Sequence, residues 1–428
     1  MDTNLAIAIL AISFLIFIVC KMPIAIALAA STTLTLLYIQ VPVMTLVQQM
    51  SKSVDSFSLM AIPFFIFAGE IMGAGGISDR LLKFANVIVG RLRGGLAHVN
   101  VLASMFFGGI SGSAVADVSS LGCIEIPMMT DAGYDKDFSV AVTVTSACQG
   151  VLIPPSHNMI IYSLAAGGVS IGALFMGGII PGILLGVCLM IVCGIIAVKR
   201  RYPKGEKVSL RTALKITGDA LLALGTIVII MGGVVSGIFT ATESAAFACI
   251  YAFLISVFVY HELKLRQIPR LLMNTVRTLA VVFSLIASAG AFGWVLAYLQ
   301  VPALVSNALL SVTSNRVIVL LLINLMLLIL GCFMDMAPLI LIMTPILLPV
   351  VEQFGMNPVQ FGVMLILNLA IGLCTPPVGG ALFVGCSIGK ISVEKATLAM
   401  LPMYAAMVVA LMLVTFIPAI SLWIPGLL

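Results

Sequence analysis

The chain has 428 residues, of which 62% are hydrophobic and 9% charged, and its mean hydropathy is +1.25. Soluble domains carry about 25% charged residues and about 45–50% apolar ones, so this composition excludes a water-soluble fold and describes a polytopic membrane protein. The 21 basic and 16 acidic residues leave a net charge of +5 with no basic block, which argues against a nucleic-acid partner. Nine cysteines (Cys20, Cys123, Cys148, Cys188, Cys193, Cys249, Cys332, Cys374, Cys386) stand singly in apolar segments. They read as small apolar packing residues, and the 24 methionines as filler.

The first apolar run, Leu5 to Cys20, differs from a signal peptide. Asp2 precedes it, Lys21 follows it, and it lacks a small-residue cleavage site. A retained span is expected there, with further ordinary spans at 23–39, 59–75, 172–198, 220–238, 243–260, 279–299 and 396–424. Two regions break the pattern. His98–Met129 and Arg316–Val351 carry polar or glycine residues at their middles, and each half is about 14 residues long, short of the roughly 20 that a crossing needs. Both predict re-entrant hairpins. Two more regions, 136–167 and 358–389, are interrupted by Pro-Pro and predict helix, loop at membrane depth, helix.

With the N-terminus outside, every basic residue except Lys52 and Arg316 falls in an inner loop, including Arg277 and the Lys199–Lys215 cluster. The reverse orientation inverts that ratio, so the positive-inside bias predicts both termini outside. Shifting the sequence by 222 residues aligns Gly109 with Gly331, Pro127 with Pro349, Gly150 with Gly372 and Pro154-Pro155 with Pro376-Pro377. The first hairpin then enters from inside and the second from outside. The expected fold is therefore an all-α polytopic membrane protein with inverted structural repeats, two re-entrant hairpins and two Pro-Pro-broken helices. The repeats cover 1–200 and 220–428, separated by a basic loop at 201–219.

Inverted repeats with interrupted helices mark secondary transporters, whose sites lie near the midplane. A helix broken at depth frees C=O groups at one end, which suit a hard cation such as Na⁺, and N–H groups at the other, which suit an anion. The first tip and first break offer Gly109, Ser111, Gly112 and Ser113 with Gly150, Ile153 and Pro154 as one cation site. The second pair offers Gly331, Met334 and Asp335 with Cys374, Thr375 and Gly379. A carboxylate at membrane depth costs roughly 2.5–3.5 kcal/mol on insertion scales, which makes Asp335 a functional candidate; its competing role is a helix cap. Asp117 could serve the first tip or act as a first-turn acid. Glu70 and Glu125 have no deciding spacing, and Thr240-x-x-Glu243 has capping-box spacing. His157 reads as a hydrogen-bonding or substrate-facing group before a proton relay. The glycine-rich tips lack the Gly-Lys-Ser/Thr of a phosphate loop, and neither a catalytic constellation nor a zinc motif appears, so an enzyme is not expected. No Lys or Arg is expected in the core, leaving an anionic substrate to helix N-termini, polar side chains and bound Na⁺. Each Na⁺ would then favour the anion beside it, and the anion the Na⁺.

Four segments in order carry a resemblance over essentially the whole chain: Met60-Ala-Ile-Pro-Phe-Phe-Ile-Phe-Ala-Gly69, Ser111-Gly-Ser-Ala-Val-Ala-Asp117, Thr240-Ala-Thr-Glu-Ser-Ala-Ala246 and Gly372-Leu-Cys-Thr-Pro-Pro-Val-Gly379. The chain resembles the large membrane subunit of TRAP (tripartite ATP-independent periplasmic) transporters. The resemblance implies an elevator. Its scaffold would comprise spans 1–2, 59–75 and most of 220–299; its transport domain would hold 98–167 and 316–390, with the last span at 396–424. It implies Na⁺-coupled import of an organic acid, such as sialic or another sugar acid or a C4-dicarboxylate, across a bacterial inner membrane with both termini periplasmic. It further implies a small four-helix membrane subunit, expected as a separate polypeptide because this chain starts almost at its first span, and a periplasmic substrate-binding protein. Na⁺ is the coupling ion and no other cofactor is implied. By the resemblance, tips and Pro-Pro loops line the substrate cavity, naming Ser113, Asp117, Ser156, His157, Asn158, Asp335, Pro377 and Gly380. The runner-up is a stand-alone Na⁺/dicarboxylate or citrate-type symporter without a binding protein; an assembly subunit and a channel are more distant alternatives.

Overall fold

The computed structural model describes residues 2–427 apart from 206, 207 and 314, with the side chains of residues 110, 111, 309, 310 and 312 also outside the description. Among the described residues there are helices, turns and loops but no strand beyond one isolated bridge, Arg93 to Lys204. Seven of the helical segments are long and apolar enough to cross a membrane.

The first half opens with α1 (Thr3–Val19), α2 (Ile24–Tyr38), α3 (Met44–Val54), α4 (Ala61–Ala74) and α5 (Ile77–Val89). The Asp2 carboxylate caps α1 by accepting from Asn4 N at 3.0 Å, which explains why the helix starts there. The first expected hairpin follows as α6 (Gly95–Ser111), a tip at residues 112–113, then α7 (Ala114–Ser120) and α8 (Gly122–Asp131). Gly112 ends α6 with φ +59, a conformation open to glycine at little cost. The broken helix is α9 (Lys136–Ala147), a 3₁₀ turn at Cys148–Val151, and α10 (His157–Ala165). The long α11 (Ile171–Lys199) closes the half.

The second half begins with α12 (Leu210–Val235) and α13 (Ala241–Leu254), the latter started by the Thr240–Glu243 capping box read from the sequence. Next come α14 (Ile268–Tyr298) and α15 (Val301–Val312). The second hairpin is α16 (Arg316–Gly331) and α17 (Met336–Gln353), and the second broken helix is α18 (Pro358–Leu373) and α19 (Gly380–Gly389). The chain finishes with α20 (Val393–Phe416) and α21 (Pro418–Leu422). Both Pro-Pro bonds at the breaks, Pro154-Pro155 and Pro376-Pro377, are cis.

Three spans depart from their expected bounds. α12 starts ten residues earlier than the apolar run, behind a Ser209 cap. The second limb of the first hairpin is divided at Leu121. The third departure matters most. α14 starts at Ile268 rather than near 279, so Asn274 and Arg277 lie inside a 31-residue helix and not in an inner loop. Hydropathy places a span's edge where polar residues begin; here the helix runs on because one of its faces borders a cavity.

Packing sorts the helices into two groups. α1, α2, α3 and α4 pack with α12, α13 and α14, joined by α5 against α12. The hairpins and broken helices form the other group together with α11 and α20, through α6–α9, α9–α20, α11–α20, α10–α17 and α16–α18. The groups meet along α4–α6, α5–α6 and α14–α17. In the second group a broken-helix limb is the centre: all sixteen residues of α18 except Pro358 and Val359 are buried.

Candidate functional site

The hairpin tips and helix breaks that the sequence singles out are packed together. A Cβ on Gly108 would fall 2.0 Å from the Cα of Gly150, and one on Gly109 would meet Pro154 O at 3.2 Å. Hairpin and break therefore touch backbone to backbone, which only glycine permits. A Cβ on Gly112 would meet Pro155 O at 3.0 Å, and Asn158 Nδ2 donates to Gly112 O at 3.4 Å. Gly109, Gly112, Gly150, Ile153 and Pro154 thus share one neighbourhood; the Ser111 side chain lies outside the described residues. The second pair repeats the plan. A Cβ on Gly372 would fall 2.6 Å from both C and O of Gly331, Val378 N donates to Cys332 O at 3.0 Å, and Gly379 N donates to Thr375 O at 3.1 Å.

Each hairpin is also fastened to its broken helix inside the apolar core. Ser146 Oγ donates to Asn100 Oδ1 at 2.7 Å and Asn100 Nδ2 donates to Thr143 Oγ1 at 2.7 Å. At the matching position of the second half, Asn368 Nδ2 donates to Asn324 Oδ1 and to Asn324 O, both at 3.0 Å. Sequence reading passed over these residues, although a buried amide at equal depth in both halves, with Ser146 and Asn368 222 residues apart, was a usable signal. Buried polar groups persist where they are paired. The two breaks abut as well, with the thiols of Cys148 and Cys374 facing each other.

Between the helix groups lies a cavity of about 710 Å³. One wall is α4 and α14, through Gly69, Glu70, Gly73, Arg277, Thr278 and Leu285. The other is made of three helix starts: Ser113 to Ala116 on α7, His157 and Asn158 on α10, and Asp335 to Ala337 on α17. Ser113 Oγ caps α7 by accepting from Ala116 N at 3.3 Å, and Asp335 Oδ1 caps α17 by accepting from Met336 N at 2.9 Å. Asp335 is therefore a helix cap whose residue also borders the cavity.

Four of the eight named substrate residues do not border this cavity. Asp117 is buried behind α7 beside Ser104, since one turn past the tip the helix has rotated it inward. Ser156 is also buried, one position before the cavity-facing His157. Pro377 is exposed elsewhere, and Gly380 sits against Val115, where its Cβ would come to 3.5 Å from Cγ2. In the second cation set, the Cys374 thiol points to Cys148 and its carbonyl accepts from Tyr404 OH at 2.6 Å, while Thr375 Oγ1 donates to Ile371 O at 2.7 Å. Of the undecided acids, Glu70 lines the cavity and accepts from Asn274 Nδ2 at 3.2 Å, whereas Glu125 is buried in α8.

Arg277 is the residue that sequence reading misplaced. The inner loop expected there is helical, and Arg277 stands exposed on α14, where it lines the cavity.

Away from the cavity, the Asp135 carboxylate accepts from Tyr202 OH at 2.7 Å and from Arg200 Nη1 at 2.8 Å. The Tyr202 hydroxyl first, with Arg200 beside it, holds this carboxyl below its ordinary range.

Comparisons with known proteins agree with this architecture. The family model of the tripartite ATP-independent periplasmic transporter DctM component matches residues 11–420. The chain is 45% identical to the protein YgiK of Salmonella typhimurium over 380 residues, covering 89% of this chain and 87% of that one. It is 42% identical to the sialic acid TRAP transporter large permease protein SiaM of Vibrio cholerae, covering 89% of each. Among solved structures, the Alcanivorax borkumensis YdaH transporter shares the fold with a TM-score of 0.65 at 14% identity, over 89% of this chain and 88% of that one.

Proposed function

The chain belongs to the DctM component family and is a TRAP large permease subunit, and from that membership we propose that it imports an organic acid coupled to Na⁺. The substrate is a sialic or other sugar acid, or a C4-dicarboxylate. The observation that carries this reading is the convergence of three helix N-termini, at Ser113, His157 and Asp335, on one wall of a cavity. An uncapped N-terminus presents free N–H groups and a partial positive charge, so the start of α10, which no side chain caps, favours a carboxylate without a buried lysine, while the α7 and α17 starts carry the Ser113 and Asp335 caps. The C-terminal ends of α6 and α16 and the adjoining breaks gather backbone carbonyls behind that wall, a ligand type that suits Na⁺.

The grouping of helices supports an elevator in which the hairpin group moves against the group built on α4 and α14. Domains 1–200 and 220–428 act as inverted repeats, the basic loops face the cytoplasm, and both termini are periplasmic. The cavity wall extends to Ala74 and Leu271, beside the inner loops, so it opens toward the cytoplasm. A small four-helix membrane subunit and a periplasmic binding protein complete the system.

The test is uptake into proteoliposomes holding this chain and its small subunit. The probes are labelled N-acetylneuraminate and succinate, with and without a Na⁺ gradient and the binding protein. Uptake that needs both gradient and binding protein is the expected result. Na⁺-driven uptake without the binding protein would replace this reading with a stand-alone symporter, and no Na⁺ dependence would refute the coupling.

A further inference from the structure

The proposed grip on an anion comes entirely from the hairpin wall, yet the opposite wall carries a formal positive charge. Arg277 lies nine residues into α14, about 14 Å along the helix from Ile268. A guanidinium costs up to roughly 2.5–3.5 kcal/mol at a helix centre on insertion scales and less toward its end, and Arg277, two residues before the apolar run and exposed toward the cavity, is placed where it can face water, a counter-charge or a ligand. Among the described residues Arg277 makes no ion pair, for the only salt bridges there use Arg80, Lys83 and Arg200. The acid on its own wall, Glu70, is engaged by Asn274. Arg277 thus offers its five N–H donors to a 710 Å³ cavity whose far side is three helix N-termini.

We propose that Arg277 is the scaffold-side anion ligand of the transported substrate, a specificity-determining residue that takes a carboxylate of the organic acid across the cavity from Ser113, Asn158 and Asp335. This rests on the transport reading above. Arginine suits the role because its planar fork pairs with both carboxylate oxygens, which a lysine cannot match. It also acts in one state only. Arg277 belongs to the group that stays in place, so it strengthens anion binding when the hairpin wall faces it and is left behind when that wall moves. A ligand shifts a conformational equilibrium by its difference in affinity between the two states, so this residue tunes release at the inner face.

The test uses proteoliposomes of the chain with its small subunit, with the binding protein outside only. Uptake then reports molecules whose periplasmic face is outward, and unlabelled N-acetylneuraminate or succinate inside competes from the other face. R277Q is expected to raise the internal concentration that halves uptake about tenfold, equivalent to about 1.4 kcal/mol. R277K should recover part of that loss, and uptake into empty vesicles should change far less. An unchanged internal value in R277Q overturns the proposal. So does an effect that disappears in vesicles of phosphatidylcholine alone, which would assign the guanidinium to an anionic lipid headgroup.

A second measurement is independent of transport. T278C, on the same face of α14, is labelled with anionic and cationic methanethiosulfonates with and without R277Q. The preference for the anionic reagent should fall when Arg277 is removed; an equal preference refutes an anion-attracting role. If wild type moves neither probe, the transport reading fails, and this labelling still decides the role of Arg277.

Discussion

At the first hairpin crossing a Cβ on Gly150 would stand 2.6 Å from the Cα of Gly108; at the second, a Cβ on Gly372 would stand 2.6 Å from the carbonyl of Gly331. The crossings are alike, and the tips are not. The first tip turns through the left-handed Gly112 and caps its second limb with the neutral hydroxyl of Ser113. The second has no such glycine and caps α17 with the carboxylate of Asp335. Behind the tips the contrast continues. The second limb of the first hairpin is divided at Leu121 and buries Asp117 and Glu125, whereas α17, its counterpart, is an unbroken 18-residue helix despite Pro345 and Pro349. Close backbone contact is thus the shared mechanical requirement of both modules. Charge is the variable, and it places a formal negative group at one tip only.

The largest effect should come from breaking the shared feature. G150A and G372A each force a methyl into backbone, with a cost of about 1–3 kcal/mol for overpacking. Both are expected to abolish binding-protein-dependent uptake and lower the thermal unfolding temperature in detergent. If only one did so, the two crossings would not be mechanically equivalent.

Next come the tips, where the modules should differ. D335N removes a charge and is expected to raise the Na⁺ concentration for half-maximal uptake about tenfold, as loss of a charged partner does. S113A removes a hydroxyl and a cap worth about 1 kcal/mol, so its shift should be at most about fivefold. Equal shifts would show that the carboxylate serves α17 alone.

The buried fastenings give a smaller, opposite asymmetry. N368A leaves the buried Asn324 Oδ1 without its donor, for which about 1–3 kcal/mol of stability should be lost. S146A should cost less, because it removes one hydrogen bond to Asn100 where N368A removes two to Asn324. Thermal unfolding of the two variants side by side checks the order.

The smallest effect is expected at the inner surface. With its carboxyl held below the ordinary range of about 4, Asp135 contributes stability that is present above its unfolded value and is lost as pH falls through the folded one. D135N should therefore destabilise by up to about 1 kcal/mol at pH 7, the pair being largely solvent-exposed. The difference from wild type should shrink as pH falls through the folded-state value; a gap that persists once the carboxyl is protonated would assign Asp135 a packing role instead.

Much of this architecture is legible in the sequence. Apolar runs set the spans, paired glycines and prolines set the hairpins and breaks, and Thr240 with Glu243 announces the start of α13. These signals are local: each depends on what a few neighbouring residues can do in lipid. Tertiary structure decided the rest. It turned Asp117 inward, where the sequence allowed either role, and joined Ser146 to Asn100 and Asn368 to Asn324 across 44–46 residues of chain. It also carried Arg277 from an expected loop onto a cavity wall. The physical reason is common to these cases. Hydropathy distinguishes lipid from water, but a membrane protein has a third environment, the polar or water-lined interior between its helices, and only packing determines which side chains face it.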